Sequence, residues 1–230
     1  MCIRDSFEGL DASFKETNVK ALHTYLLGNG IKANYVSFPR HNTAEGIYTD
    51  KFLQGKYGNI DRKIVATMFA LDRFDYIKCE DVVKRVEEGE WFIFDRYTPS
   101  SVIYQTAEVS NLKKRRNEQM DILEYEYVKL EIPEPDIVLA MYSDYDMMLK
   151  AIKDRGEDKD IFESNAAYLK KVHDCFTQAI KDYDWVRINT YSDLSERIFK
   201  SKITLFEEII QTLKACLLYT SPSPRDLSTS

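Results

Sequence analysis

FEGLDASFKET, residues 7–17, is the stretch whose reading decides the fold. Phosphate-binding loops follow the pattern G-x-x-x-x-G-K-[ST] between a strand and a helix. Gly9 and Lys15 stand at that spacing, whereas Phe14 occupies the second glycine position and Glu16 the hydroxyl position. Successive backbone N–H groups here, with Ala12, Ser13, Phe14 and the start of the next helix, would form an anion nest. Lys15 would add a point charge. Glu16 cannot donate a hydroxyl but can serve as a carboxylate ligand for Mg²⁺, and Thr17 is the nearest hydroxyl. A plain strand–turn–helix with a solvated lysine would carry the same residues, so the loop needs partners elsewhere in the chain.

Working outward, strand-like runs at Ile3–Phe7, Ala33–Phe38, Trp91–Phe94, Asp136–Met141 and Trp185–Ile188 alternate with helical patterns. The helices are expected near Lys15–Leu27, Thr43–Leu53, Ile60–Tyr76, Glu80–Glu88, Ser100–Ser110, Arg115–Leu130, Tyr145–Lys153, Phe162–Asp182 and Leu194–Leu213. Strands separated by helices predict an α/β three-layer sandwich, a five-stranded parallel sheet flanked by helices on both faces. Ligands then bind beyond the carboxyl ends of the strands. FEGLDASFKET, FPRHNT, FDRYTPSS and the charged segment DRGEDKD all fall at that end.

The 230 residues suffice for one such domain with a large core. A net charge of −6 argues against a general nucleic-acid binder, so any anionic ligand needs a local cluster of cations. No apolar run approaches the length of a membrane span. The four cysteines lack C-x-x-C spacing, which disfavours a zinc site and makes free thiols in a reducing cytoplasm the expectation. The opening MCIRDS (residues 1–6) and the tail LLYTSPSPRDLSTS resemble translated sequencing-adapter read-through. The domain is therefore expected over residues 7–215, with 216–230 a non-native or disordered tail.

Two further clusters carry chemistry. Asp95-Arg96-Tyr97, followed by Ser100, Tyr104 and Gln105, puts a carboxylate and a guanidinium at a strand end. The carboxylate can position Mg²⁺, and the guanidinium can clamp a phosphate bidentately. Asp95 and Ser100 are equally suited to capping the next helix. In Phe69-Ala70-Leu71-Asp72-Arg73, Phe69 and Arg73 share one helix face, as an aromatic platform and a donor for a nucleobase carbonyl would.

FEGLDAS, FPR-x-x-T, FALDR, DRYTPSSVIYQ, PEPD and DKDIFES occur in this order and spacing. Together they resemble the thymidylate kinase family, P-loop nucleoside monophosphate kinases, from about Phe7 to Leu213. The resemblance implies ATP-dependent phosphorylation of dTMP to dTDP, with Mg²⁺, in a cytoplasmic homodimer. It implies that Gly9, Ala12, Ser13, Phe14, Lys15, Glu16 and Thr17 hold ATP and that Asp11 faces the acceptor sugar and the transferring phosphate. Phe69 would stack on thymine and Arg73 would donate to its exocyclic oxygen. Arg40, Arg96, Tyr97, Ser100, Tyr104 and Gln105 complete the acceptor set, with Asp95 near Mg²⁺.

Because the loop offers Ala12, the extra cation would come from Arg155 or Lys159 on a lid around residues 153–161. His41 stands where many relatives have an arginine for the acceptor phosphate. A kinase for another nucleoside monophosphate or deoxynucleoside, or a paralogue that binds nucleotide without transfer, fits the same residues.

Overall fold

The computed structural model describes residues 4–155 and 165–220. The first strand, β1 (Arg4–Glu8), runs into the loop and then α1 (Lys15–Gly28). There follow β2 (Ala33–Ser37), α2 (Ile47–Leu53), α3 (Arg62–Cys79), α4 (Val82–Glu87), β3 (Trp91–Asp95) and α5 (Thr98–Tyr104). Next, α6 (Leu112–Leu123) passes into a π-helical segment (Glu124–Lys129), then β4 (Ile137–Tyr142) and α7 (Tyr145–Arg155). The chain closes with α8 (Ala166–Asp182), β5 (Val186–Asn189), a hairpin of β6 (Tyr191–Asp193) and β7 (Ile198–Phe199), and α9 (Lys202–Thr220).

The five-stranded sheet has the order β2-β3-β1-β4-β5 and every pairing is parallel. Successive strand residues point to opposite faces, and the core divides accordingly. Phe7, Ile93, Leu139 and Met141 meet Val19 and Leu22 of α1 and Leu205 and Ile209 of α9 on one face. On the other, Phe92 and Phe94 pack against Ile77 of α3 and Val82 of α4. Ala140 and Tyr142 pack there on Val172 and Phe176 of α8. This is the expected three-layer arrangement. The chain leaves β1 toward β2 and later returns to β1's other side at β4, so the crevice opens at the carboxyl ends of β1 and β3.

The strand expected at residues 3–7 is β1, where Asp5 and Ser6 are fully buried. Asp5 shares the face of Phe7 and is registered between Ile93 and Ile137. Trp91 Nε1 donates to its Oδ2 at 2.9 Å, while Oδ1 has no partner. Thr43 does not cap a helix. Its Oγ1 accepts from Gly46 N at 3.0 Å and donates to the Arg40 carbonyl, closing a turn before α2. A Cβ on Gly46 would lie 2.0 Å from the Arg40 carbonyl oxygen, so only glycine permits that turn. The last helix starts at Lys202 rather than near Leu194, because residues 191–199 form the hairpin. It continues to Thr220, past the point where the tail was expected to begin.

Candidate active site

The loop between β1 and α1 takes its shape from a close approach and two left-handed residues. A Cβ on Gly9 would lie 2.5 Å from Ser13 Oγ and 3.0 Å from the Met141 carbonyl oxygen, which restricts this position to glycine. Ala12 and Phe14 both have φ of 59°. Phe14 therefore keeps the backbone conformation a glycine would supply at the N-terminus of α1. Its ring meets Phe199 of β7 edge to face at 5.3 Å. The residue that breaks the motif packs against the hairpin and also borders the loop's cavity.

Lys15 is buried, and its Nζ is bonded to Asp95 Oδ1 at the end of β3. Burial and the nearby Arg96 lower the lysine pKa, and Asp95 and Asp11 pull it back. Neither Asp95 nor Ser100 caps α5. Asp95 holds Lys15, and Ser100 Oγ donates to Glu8 Oε2 at 2.5 Å. Glu8 is fully buried and also accepts from Ser6 Oγ and from the backbone N–H of Tyr97 at 2.8 Å. Burial raises the Glu8 pKa, with the Ser100 and Ser6 hydroxyls opposing that rise. Glu8 thus ties the end of β1 to the start of α5 and fixes the turn that presents Arg96.

Arg96 has a left-handed φ of 66°. Its Nη1 donates to the Gly9 carbonyl and to Tyr104 Oη, each at 3.1 Å, and Nη2 donates to Asp11 Oδ1 at 2.9 Å. Burial works to lower the guanidinium pKa, but Tyr104, Asp11 and Asp95 outweigh it and hold the pKa above its ordinary value. The group is a permanent cation at the floor of the cleft.

Two cavities open on either side of this pair. One, of about 330 Å³, is lined by residues 10–17, Arg96 and Ala151. The other, of about 210 Å³, is lined by Asp11, Arg96, Phe69, Arg73, Ser100, Tyr104 and Gln105 among others. Asp11 and Arg96 belong to both. The structure therefore brings together seven residues expected in the acceptor set, lining a cavity that adjoins the loop's own through Asp11 and Arg96.

Within the second cavity, Phe69 meets Phe52 edge to face at 6.4 Å, leaving its ring as part of the wall. Arg73 is almost wholly buried, bonded to Glu126 and Ser101.

Two expected members are elsewhere. Tyr97 is a core residue, stacked on Phe94 at 4.5 Å with its hydroxyl donating to the Pro133 carbonyl. The left-handed Arg96 turns the chain so that Tyr97 faces inward. Arg40 is not in the lining either. Its Nε and N–H are held by Asp72 and its Nη2 by Asp75. His41, one residue on, lines the cavity in its place and bonds Asp50 through Nδ1 at 2.5 Å.

Glu16 is exposed and pairs with Lys20 one turn along α1 at 2.5 Å, away from Asp95. Among the described residues no group of three or more His, Cys, Asp or Glu side chains converges. Asp95 is a carboxylate at the end of β3, and Mg²⁺ is ordinarily held by one or two carboxylates together with substrate phosphates and waters. Thr17 and Ser13 border the first cavity, and Ser13 Oγ is buried without a partner. Lys159 and the side chain of Arg155 lie outside the described residues.

Sequence reasoning missed Glu8, Asp72 and Glu126, whose carboxylates hold Ser100, Arg40 and Arg73. Glu8 and Asp72 stand inside FEGLDAS and FALDR. Nothing in the run EYEYVK singled out Glu126.

Comparison with known proteins identifies the family. The sequence model for the family described as thymidylate kinase matches residues 7–203. A probable thymidylate kinase of Methanocaldococcus jannaschii is 30% identical over 203 residues, covering 88% of this chain and 95% of its own length. The human thymidylate kinase is 25% identical over 207 residues, covering 89% and 90% respectively. A solved thymidylate kinase from Candida albicans superposes with a TM-score of 0.69 at 21% identity, covering 93% of each chain, and so shares the fold. This chain belongs to the thymidylate kinase family.

Proposed function

We infer that this chain transfers the terminal phosphoryl group of ATP to dTMP, giving dTDP and ADP. The observation that carries the reading is the meeting of two cavities at Asp11 and Arg96. A donor triphosphate on the loop and an acceptor monophosphate in the second cavity would present their phosphates to the same guanidinium.

Phosphoryl transfer asks for alignment and neutralisation of charge rather than covalent chemistry. The acceptor is a phosphate that is already ionised near neutral pH, so no general base is needed. Lys15 and the loop amides would bind the donor phosphates. Arg96 would hold the acceptor phosphate and offset charge on the transferring group, with Asp11 fixing its fork. Phe69 would stack on the base, and Tyr104, Ser100 and Gln105 would close around the sugar and base. His41 rather than Arg40 would reach the acceptor phosphate, since His41 lines the cavity and Asp72 and Asp75 hold Arg40, while Arg155 and Lys159 are our candidates for the extra cation of a lid. Asp95 is the residue that would hold Mg²⁺, which would supply positive charge to offset that of the donor phosphates. Lys15 must then exchange Asp95 for phosphate oxygens as donor binds.

We also propose a homodimer packed through α3 and α6. Ile64 and Leu71 are seven residues apart on one face of α3 and about half exposed, as is Met120 on α6. Light scattering on the purified protein tests this, with a monomer mass at micromolar concentration as the contrary result. No helix among the described residues is long and apolar enough to cross a membrane, and a cytoplasmic setting is our reading of the free cysteines.

The function is tested by coupled ADP release with ATP, Mg²⁺ and dTMP, dUMP, dGMP or thymidine as acceptor. Turnover with dTMP is expected to exceed the others. A well-folded sample with no turnover on dTMP would overturn the reading.

A further inference from the structure

Glu126 is a buried carboxylate in a run whose other charges are solvated. It is 1% exposed, whereas its neighbour Glu124 is exposed and pairs with Lys129. It lies in the π-helical segment that extends α6, a geometry used mostly in single turns and often at functional sites. Its two oxygens accept from Arg73 Nε at 2.7 Å and Nη2 at 2.6 Å, and Oε2 also accepts from Thr98 Oγ1 at 2.7 Å. Arg73 Nη2 donates in addition to Ser101 Oγ at 2.7 Å.

These bonds use two of the three guanidinium nitrogens and leave Nη1, and Arg73 lines the second cavity. A planar fork gripped along one edge cannot rotate, so the remaining donors keep a fixed direction. Stability alone is a poor account of such a pair, because hydrophobic side chains of similar volume often serve a core as well or better.

We propose that Glu126 is a positioning residue for base recognition: it holds Arg73 so that the guanidinium donates to a carbonyl on the acceptor base and disfavours an amino group at that place. The inference rests on the dTMP kinase reading. Sites built to donate a hydrogen bond reject analogues that cannot accept it. Glu126 never touches the acceptor and acts only through Arg73. Thr98 and Ser101, from the first turn of α5, hold the ends of the same network, which links base recognition to the helix that follows Arg96.

The test compares wild type with Glu126→Asp and Glu126→Gln. The aspartate keeps the charge but withdraws it by one methylene, and the glutamine keeps the shape but removes the charge. Calorimetry measures dTMP and dCMP binding, steady-state kinetics measure KM and kcat for dTMP and for ATP, and a thermal melt is recorded for each protein. The preference for dTMP over dCMP should fall roughly tenfold to a hundredfold in Glu126→Gln, the loss expected of one misdirected charge-assisted bond. In Glu126→Asp the fall should be intermediate.

The KM for dTMP should rise while kcat and the KM for ATP change less than about twofold, the pattern of lost uniform binding. If Glu126→Gln does not fold, Glu126→Asp carries the test. An unchanged preference in a folded variant, whatever its melting temperature, overturns the inference and leaves the kinase reading intact. Wild type that binds no dTMP overturns both.

Discussion

Replacing Phe14 by glycine restores the usual loop pattern and asks whether the departure impairs the site. Four effects of similar size compete. Glycine relieves a left-handed φ of 59°, which costs an ordinary residue about 1–2 kcal/mol. Against that, a half-buried phenylalanine gives up about 1 kcal/mol of burial, half of the ordinary value for a large apolar side chain. The edge-to-face contact with Phe199 contributes about 0.5–1.5 kcal/mol more. Glycine also adds about 0.5–1 kcal/mol of unfolded-state entropy. The balance is a loss of about 1 kcal/mol, or roughly 2–4 °C in melting temperature for a domain of this size. Because the ring rests on the hairpin, the donor amides should already be free. The kcat/KM for ATP should then change by less than about threefold. Thermal melts and ADP release read the two quantities. A gain in kcat/KM of tenfold or more, or a clear stabilisation, would show that Phe14 obstructs the loop.

Other outcomes follow from the same geometry. Asp5→Val should stabilise the fold by about 2 kcal/mol, removing an unpartnered buried oxygen from an apolar layer at the cost of Trp91's acceptor. Burial raises the Asp5 pKa well above 3.8, with the Trp91 bond opposing and Asp136 adding to the rise. The folded state therefore holds the proton more tightly, and the stability linked to it, full below about pH 4, is lost as pH climbs through the raised value. Denaturation at pH 5.5 and pH 8 should show the variant's advantage growing with pH, and an equal advantage at both would contradict the assignment. Arg96→Ala should lower kcat/KM about 10³-fold, within the range for a cation on a transferring phosphoryl group, whereas Arg40→Ala should act mainly on stability. Equal kinetic losses in the two would refute the separation of their roles. Glu16→Ala should leave the Mg²⁺ dependence of turnover within about twofold, because Glu16 faces Lys20 and solvent. A large shift would return Glu16 to the metal site.

The sheet and the loop were legible because each rests on local constraints. Trp91–Phe94 reads as a strand since both its faces are covered, and Gly9 to Lys15 carries its own spacing. Asp95, Arg96, Phe69 and Arg73 could be grouped because strand ends and helix periodicity put them on the same side of the domain. What could not be read depends on long-range packing. Residues 191–199 lie beside the apolar pattern of α9, and only their pairing with each other makes a hairpin. Tyr97 stands within a motif, yet the left-handed Arg96 sends it into the core. Arg40 looks like a phosphate ligand until Asp72 and Asp75 are seen to hold it. Glu126 is one acid among several in its run, and its burial becomes visible only when Arg73 is placed against it.

The central claim is that the loop cavity and the Phe69 cavity are halves of one two-nucleotide site joined at Asp11 and Arg96. Its most direct test is calorimetry with adenosine and thymidine linked through five phosphates. One molecule spanning both cavities should bind at least a hundredfold more tightly than dTMP alone, since the second contact becomes intramolecular. Arg96→Ala should remove most of that gain. Affinity no greater than that of dTMP would mean that the two cavities do not act as a single site.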